Sequence, residues 1–183
     1  MAADSMTRGL GWRFLDMGMR IEKSLAIARL LRATLVQVSD DELPLLDVLL
    51  DVADSSLTYR RRYFTRLETT AALDLLLADE TNPRSVAFQI AGIDEHLSHL
   101  PRESLHPQRN PDRQLILKLR SMIQLADVAE ICKTSDGNRP QLESILIEIV
   151  STLGKLSEFL GEIYFSHALS SGPMLSGTLE QSS

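Results

Sequence analysis

The residues most suited to chemistry are two charged side chains that fall among the apolar positions of amphipathic segments. Glu22 lies inside an apolar arc over residues 14–36, and Gly18, one turn earlier, leaves room for another backbone. Arg60 lies inside an apolar face over residues 45–67 with three- and four-residue steps. An unpaired buried charge is strongly destabilising, so it must find an opposite charge or several carbonyls. We therefore predict that Glu22 and Arg60 turn inward and pair, either to bind a ligand or to tie two helices together.

An arginine run follows in the same segment, Tyr59-Arg-Arg-Arg-Tyr63. Arg61 and Arg62 could bind phosphate or carboxylate groups, because guanidinium donors match the geometry of these anions. Alternatively, they could pair with Asp51 and Asp54 on adjacent helical turns at the low energies of surface ion pairs. Both interpretations remain open on the sequence alone.

A third candidate is Asn82-Pro83-Arg84, which has the composition of a helix start. Free backbone N–H groups at such a start favour an anion, which Asn82 and Arg84 could help to bind. The simpler alternative is that Asn82 caps the helix and Arg84 is solvated. Listed together, the candidate ligand-binding residues are Glu22, Arg60, Arg61, Arg62, Asn82 and Arg84, and the candidate structural polar network is Arg29, Asp54, Tyr59 and Tyr63.

Motifs for catalysis or metal binding are absent from the sequence. There is no His-Glu-x-x-His, no glycine-rich phosphate loop and no serine nucleophile elbow. His96 and His99 are three residues apart and could share a metal ion, but the C-terminal end of a helix favours cationic side chains without any metal. We therefore predict no catalytic residue, no metal site and no cofactor, and we favour a protein that is not an enzyme.

Helical patterns alone are expected to position these side chains. The predicted segments are residues 11–38, a helix from Leu43 through the arginine run, a short helix 71–78, a helix from Pro83 to Leu100, one that begins at Pro111, and a regular helix 141–169. The fold class is thus all-α, an antiparallel helical bundle of about five long helices plus one short helix. Residues 1–10 are predicted to be a flexible lead-in, 11–169 the bundle domain and 170–183 a disordered tail.

Composition narrows the possible partners. The 183 residues carry a net charge of −6 and 5% aromatic side chains, so neither a basic footprint nor a stacking platform for nucleic acid is present. The one cysteine, Cys132, suits a reducing compartment. No apolar run approaches the length of a membrane span. We therefore expect a cytoplasmic protein that binds neither nucleic acid nor membrane.

Three segments, in this order along the chain, resemble the Alpha-E family: residues 11–23 (GWRFLDMGMRIEK), 54–63 (DSSLTYRRRY) and 79–89 (DETNPRSVAFQ). The resemblance covers residues 11–165 and implies a bacterial, all-helical domain that is named for a Glu-Arg motif. The motif in this chain is Glu22-Lys23. Lysine lacks the bidentate fork of arginine, but Lys23 falls on the solvated face of the first helix, so we expect the exchange to be tolerated.

The resemblance also implies a partner and an oligomeric state. Family members look like companions of circularly permuted ATP-grasp ligases, which points to peptide or amide-bond chemistry, and this chain corresponds to the later half of longer members. An exposed apolar surface and self-association would then be expected. We favour a non-catalytic module that binds an ATP-grasp-type ligase. The alternatives are a ligand-binding or catalytic domain built on the buried Glu/Arg/Asn cluster, and a stand-alone homodimeric structural protein.

Overall fold

The computed structural model of the chain describes residues 7–64, 66–101 and 110–165, and these residues confirm the all-α class. They contain eight α-helices and two short π-helical segments, and no β-strand occurs among them. The elements are α1 (Leu10–Leu35), α2 (Glu42–Val52), α3 (Ser56–Tyr63), α4 (Thr69–Leu73) continued by a π-helical turn (Asp74–Ala78), α5 (Val86–Ser98), α6 (Pro111–Gln124), α7 (Val128–Ile131) and α8 (Pro140–Leu160) continued by a π-helical turn (Gly161–Phe165).

Four long helices form a closed ring of neighbours. Helix α1 packs against α5 and α8, and α6 packs against the same two helices from the other side. The predicted apolar stripes of α5 and α8 are buried, with the last position of the α8 stripe, Ile163, partly exposed. Helices α2, α3, α4 and α7 cover this four-helix core, with α2 lying between α1 and α4. Burial of regular apolar stripes is therefore the main source of stability.

The prediction of one continuous helix from Leu43 through the arginine run is wrong, because the helix is interrupted at residues 53–55 and forms α2 and α3 instead. Asp54 adopts a left-handed backbone conformation with φ of 50°, which aspartate tolerates better than most side chains. Ser55 is buried and its backbone N–H donates to the carbonyl of Leu50 at 2.8 Å. The break changes the direction of the chain, so a single helical face does not continue from Leu45 to Leu67.

Other helix boundaries also differ from the prediction. Helix α5 begins at Val86 rather than at Pro83, because Ser85 is the residue whose hydroxyl accepts the N–H of Phe88 at 3.0 Å. The helix after Pro111 ends at Gln124, and Asp127 caps the separate helix α7. The predicted lead-in lies outside the described residues except for residues 7–10, and the predicted tail, the loop 102–109 and residues 166–169 lie outside them entirely.

A buried arginine holds the start of α8 to the rest of the fold. Arg139 is 5% exposed and donates to both carboxylate oxygens of Glu42, at 2.7 and 3.0 Å. It also donates to the carbonyls of Leu35, at 2.8 Å, and Cys132, at 3.3 Å. Glu42 accepts a further hydrogen bond from Thr69 at 2.8 Å. One guanidinium therefore joins the ends of α1, α2, α4, α7 and α8.

No helix in the described part of the chain combines the length and the apolar character that crossing a membrane requires.

The Arg139–Glu42 pair should contribute far more stability than an exposed pair of the same kind. We expect Arg139→Met to lower the free energy of unfolding by about 3–5 kcal/mol, because it leaves the Glu42 carboxylate largely buried without its cation. Arg32 pairs with Glu143 at 3.2 Å in a more exposed setting, so the control Arg32→Met should cost less than about 1 kcal/mol. Urea denaturation measures both values, and equal losses would contradict the assignment.

Candidate functional site

The three segments that carry the family resemblance meet at one place on the molecule. The middle of α1, the turn between α2 and α3, and the turn before α5 together surround a cavity of about 150 Å³. We call it the motif cavity. It is lined by Lys23, Ala26 and Ile27 of α1, by Val52, Ala53 and Asp54 around the helix break, and by Pro83, Arg84 and Gln89. Segments far apart in sequence thus contribute to one site.

The charges around the motif cavity come from three side chains. Arg84 forms an ion pair with Asp54, and both side chains are exposed to solvent, at 49 and 77%. Lys23 is exposed and has no ion-pair partner among the residues that the structure describes. Gln89 is 3% exposed; its carboxamide donates to the carbonyl of Pro83 and accepts from Arg20. The lining therefore carries two cations and one anion.

The predicted buried pair of Glu22 and Arg60 is wrong, because both side chains are exposed. Arg60 lies 3.8 Å from Asp47 on the outer side of α2 and α3. The helix break at Asp54 turns the face that holds Arg60 away from the core. Glu22 is exposed because the buried stripe of α1, which includes Ile21, Leu25 and Ala28, is narrower than the predicted apolar arc and leaves Glu22 outside it. Arg29 is exposed as well, so it is not part of a buried network. A ligand-binding role for Glu22 or Arg60 remains a prediction.

The remaining predicted ligand-binding residues are divided between two locations. Arg62 pairs with the buried carboxylate of Asp79, and Arg61 is exposed. Asn82 is buried and does not cap α5; its side chain donates to the carbonyl of Leu75 at 2.8 Å and accepts the N–H of Arg84 at 3.1 Å. Asn82 thus shapes the turn that carries Arg84 to the motif cavity.

Tyr59 and Tyr63 stack on each other with ring centroids 5.0 Å apart. The buried Tyr59 hydroxyl donates to the carbonyl of Arg66 at 3.2 Å and accepts the N–H of Glu68 at 3.0 Å. Tyr63 donates to Asp74 at 2.6 Å. Burial, the hydrogen bond to Asp74 and its negative charge together raise the pKa of Tyr63 well above the ordinary value. These hydroxyls hold α3 against the α4 region.

A polar network that the sequence analysis did not predict lies between α1 and α5. We call it the α1–α5 seam and define it by Arg13, Asp16, Arg20, Gln89 and His96. Asp16 accepts from Arg20 at 2.6 Å and from the buried His96 at 2.6 Å, through its Nε2. Arg13 lies 3.3 Å from Nδ1 of His96. Since arginine can only donate, Nδ1 accepts and Nε2 carries the proton that binds Asp16.

Gly92 allows Arg20 to lie across α5. A Cβ atom at this position would overlap the guanidinium of Arg20. With only hydrogen there, Arg20 reaches Gln89 at 3.3 Å and approaches the ring of Phe88, with Cζ 5.6 Å from the ring centroid. The seam therefore depends on a glycine in the middle of a helix, where glycine otherwise lowers stability.

The carboxylate of Asp16 stays ionised despite its environment. Burial alone would raise its pKa, but the hydrogen bonds from Arg20 and His96 and the positive charge of Arg20 outweigh this effect and hold the pKa below the ordinary value. Asp16 therefore contributes stability at neutral pH and loses that contribution when it is protonated.

The sequence contains a polar spacing that fits the α1–α5 seam, but the apolar stripes of the helices are the stronger pattern. Arg13, Asp16 and Arg20 share one face of α1 at three- and four-residue steps, and Gln89, Gly92 and His96 repeat that spacing on α5. Periodicity alone puts Arg13, Asp16 and Arg20 opposite the apolar arc of α1, where solvent is the simplest expectation. Two matching polar stripes indicate an interface only when the two helices are known to be neighbours.

His96 and His99, the two histidines that the structure describes, do not converge on a metal. His96 is used in the seam, whereas His99 is exposed and its Nδ1 lies 2.8 Å from the carbonyl of Glu95. No group of three or more histidine, cysteine or acidic side chains within residues 7–64, 66–101 and 110–165 is placed to hold a metal ion.

Burial raises the pKa of the Cys132 thiol, although the charge of Arg139 opposes the rise.

The Asp16 carboxylate should make stability dependent on pH. We expect Asp16→Asn to lower the free energy of unfolding at pH 7 by about 1–3 kcal/mol, because two charge-assisted hydrogen bonds are weakened. The unfolded-state pKa is about 3.9, and the folded-state pKa is lower. The difference between wild type and variant should thus persist at pH 5 and shrink as the pH falls below about 4. Urea denaturation of wild type and Asp16→Asn between about pH 3 and pH 7 measures this difference, and a pH-independent difference would contradict this account.

Gly92→Ala should reveal the contact with Arg20. In an Arg20→Ala background, we expect Gly92→Ala to stabilise the protein by about 0.5–1 kcal/mol, because alanine favours the helix. In the wild-type background the new methyl displaces the guanidinium, so the gain should vanish or reverse. A double-mutant cycle from thermal or urea unfolding measures the coupling. Identical effects in the two backgrounds would show that Gly92 is not needed for the seam.

Known sequences identify the family but not an activity. Uncharacterized proteins of Mycobacterium bovis and of two strains of Mycobacterium tuberculosis are each 31% identical to this chain over 163 residues. Each match covers 87% of this chain and 18% of the relative, so the chain spans about a fifth of the length of these relatives. No solved structure shows a significant match. The sequence profile of Alpha-E, a predicted alpha-helical domain with a conserved ER motif, matches residues 1–165, and the chain therefore belongs to the Alpha-E family.

Proposed function

We propose that this Alpha-E domain is a non-catalytic companion module that binds an ATP-grasp-type ligase through an apolar surface on α2 and α3. The carrying observation is a set of large apolar side chains on these two short helices that project into solvent. We call this set the α2–α3 patch and define it as Val48, Val52, Leu57 and Phe64, which are 59, 66, 62 and 87% exposed.

Two contacts bring the outer faces of α2 and α3 together. Arg60 of α3 lies 3.8 Å from Asp47 of α2, next to Val48 in the chain. Ser56, next to Leu57, donates to Asp51, next to Val52. Val48 and Val52 are four residues apart and so share one face of α2, and these two links hold α3, which carries Leu57, beside α2.

Such a surface suits a protein partner. Apolar side chains in water contribute nothing to the stability of the isolated domain, and grouped with charged neighbours they resemble the apolar core and polar rim of an interface. Asp47, Asp51, Arg60 and Arg61 supply charges of both signs around the patch. Complementary charges on a partner would add specificity and speed of association.

The identity of the partner rests on the family rather than on the patch itself. The family resemblance implies that Alpha-E proteins are companions of circularly permuted ATP-grasp ligases. The ligases are encoded beside Alpha-E proteins or fused to them. The matching segment of the mycobacterial relatives is 18% of a much longer chain, which is consistent with a domain that works next to other domains. We place this module in the cytoplasm, where such a ligase would find its ATP.

The binding proposal is tested by a pull-down with the ATP-grasp protein encoded nearest to this gene. We expect a stable complex with the wild-type protein and at least about tenfold weaker binding for Val48→Asp and Leu57→Asp, because a charge at a buried interface position removes a major contact. Leu125→Asp is the matched control, since Leu125 is 85% exposed at the C-terminal end of α6. It should leave binding unchanged.

Two outcomes would overturn the proposal. No complex with the ligase, or equal binding by wild type and both patch variants, would mean that the α2–α3 patch does not dock this partner. Light scattering on the isolated protein examines the dimer alternative. A homodimer that dissociates in Leu57→Asp would assign the patch to self-association instead.

A further inference from the structure

We propose that the motif cavity is a binding site for a small oxyanion, a carboxylate or phosphate group, with Lys23 as the principal cation and Arg84 as the second. This site shares Val52 with the α2–α3 patch, but its charged residues lie outside the patch, and anion binding does not depend on a ligase. The argument rests on the charge, the walls and the size of the cavity.

The charge around the cavity is opposite in sign to that of the protein. Lys23 and Arg84 against Asp54 leave an excess of one positive charge, whereas the whole chain carries −6. Asp54 satisfies one terminal nitrogen of Arg84, and a guanidinium has five N–H donors. Lys23 has no described carboxylate partner, so its ammonium is available to an anion without breaking an ion pair.

The walls of the cavity add apolar contact to that attraction. Ala26 and Ile27 of α1 face Val52 and Ala53 at the end of α2, so much of the lining is hydrocarbon. This hydrocarbon lining can contact the aliphatic part of a carboxylate ligand, while Lys23 and Arg84 stay accessible from solvent. The buried amide of Gln89 is fixed by Arg20 and Pro83, which makes this end of the cavity rigid before any ligand arrives. The α1–α5 seam thus preorganises the site.

The size of the cavity limits the ligand. A volume of about 150 Å³ corresponds to roughly five water molecules at about 30 Å³ each. It accommodates a phosphate ion, or a carboxylate with a short aliphatic group that contacts Ile27 and Val52. A nucleotide or a long peptide would have to extend out of the mouth.

The position of Lys23 links the cavity to the family motif. The family is described by a conserved ER motif, and the dipeptide of this chain that resembles it is Glu22-Lys23. Its second residue lines the cavity, whereas Glu22 does not. An oxyanion site requires a cation at this position, and both lysine and arginine supply one. Lys23→Arg should therefore keep oxyanion binding, whereas Lys23→Gln should weaken it.

The test is a titration of ¹⁵N-labelled full-length protein with inorganic phosphate and, separately, with acetate, followed by chemical-shift changes. We expect saturable shifts of the backbone signals of residues 23–27, 52–54 and 84–89. Lys23→Gln should weaken binding at least about tenfold, as expected for loss of a charge-assisted contact. Arg84→Gln should weaken it by a smaller factor, and Lys23→Arg should bind at least as tightly as the wild type. The probe that saturates at the lower concentration identifies the preferred oxyanion.

Lys155→Gln is the matched control, because Lys155 is an exposed lysine on α8 and its loss changes the net charge equally. It should leave the titration unchanged. Shifts that never saturate, or an equal loss in Lys155→Gln and Lys23→Gln, would overturn the proposal in favour of general electrostatic attraction. The pull-down with the ligase should be unaffected by Lys23→Gln, so failure of this site and failure of the α2–α3 patch are distinguishable.

Discussion

The ion and hydrogen-bond network between α1 and α5 is the constraint on which the rest of the site depends. Asp16 is held between Arg20 and His96, and Arg20 crosses α5 over Gly92 to reach Gln89. Directional hydrogen bonds set the register of two helices more sharply than apolar packing does, because hydrophobic contacts tolerate small shifts. Once that register is set, Lys23 and Gln89 are brought to the same cavity.

The left-handed residue at Asp54 is the second local feature with distant effects. By ending α2 it brings the Asp54 carboxylate to the mouth of the motif cavity, beside Arg84. By changing the direction of α3 it exposes Arg60 and Leu57 and creates the α2–α3 patch. One backbone conformation therefore shapes both the motif cavity, with its three charged side chains, and the apolar α2–α3 patch. Val52 lines the cavity and belongs to the patch, so it joins the two regions.

The regular helices were predictable because periodicity is a local property of the chain. The stripe from Leu142 to Leu160 in α8 is buried as its spacing predicts, and so is the stripe from Val86 to Leu97 in α5. The prediction for Arg60 was wrong because it extended one helical period across Asp54, and the prediction for Glu22 was wrong because only part of the apolar arc of α1 is buried. Periodicity gives no warning of a single residue with positive φ, since aspartate also fits a regular helix at modest cost.

Amino-acid order alone determined the all-α class, the core faces of the long helices and the three segments that match the Alpha-E family. Tertiary structure decided which polar residues meet. Asp16 with His96, Arg139 with Glu42, and Lys23 with Arg84 at one cavity are separated by 80, 97 and 61 positions in the chain. Whether a charged side chain is solvated or buried depends on whether another helix packs over it. The periodicity of one helix does not show which other helix will cover each of its faces.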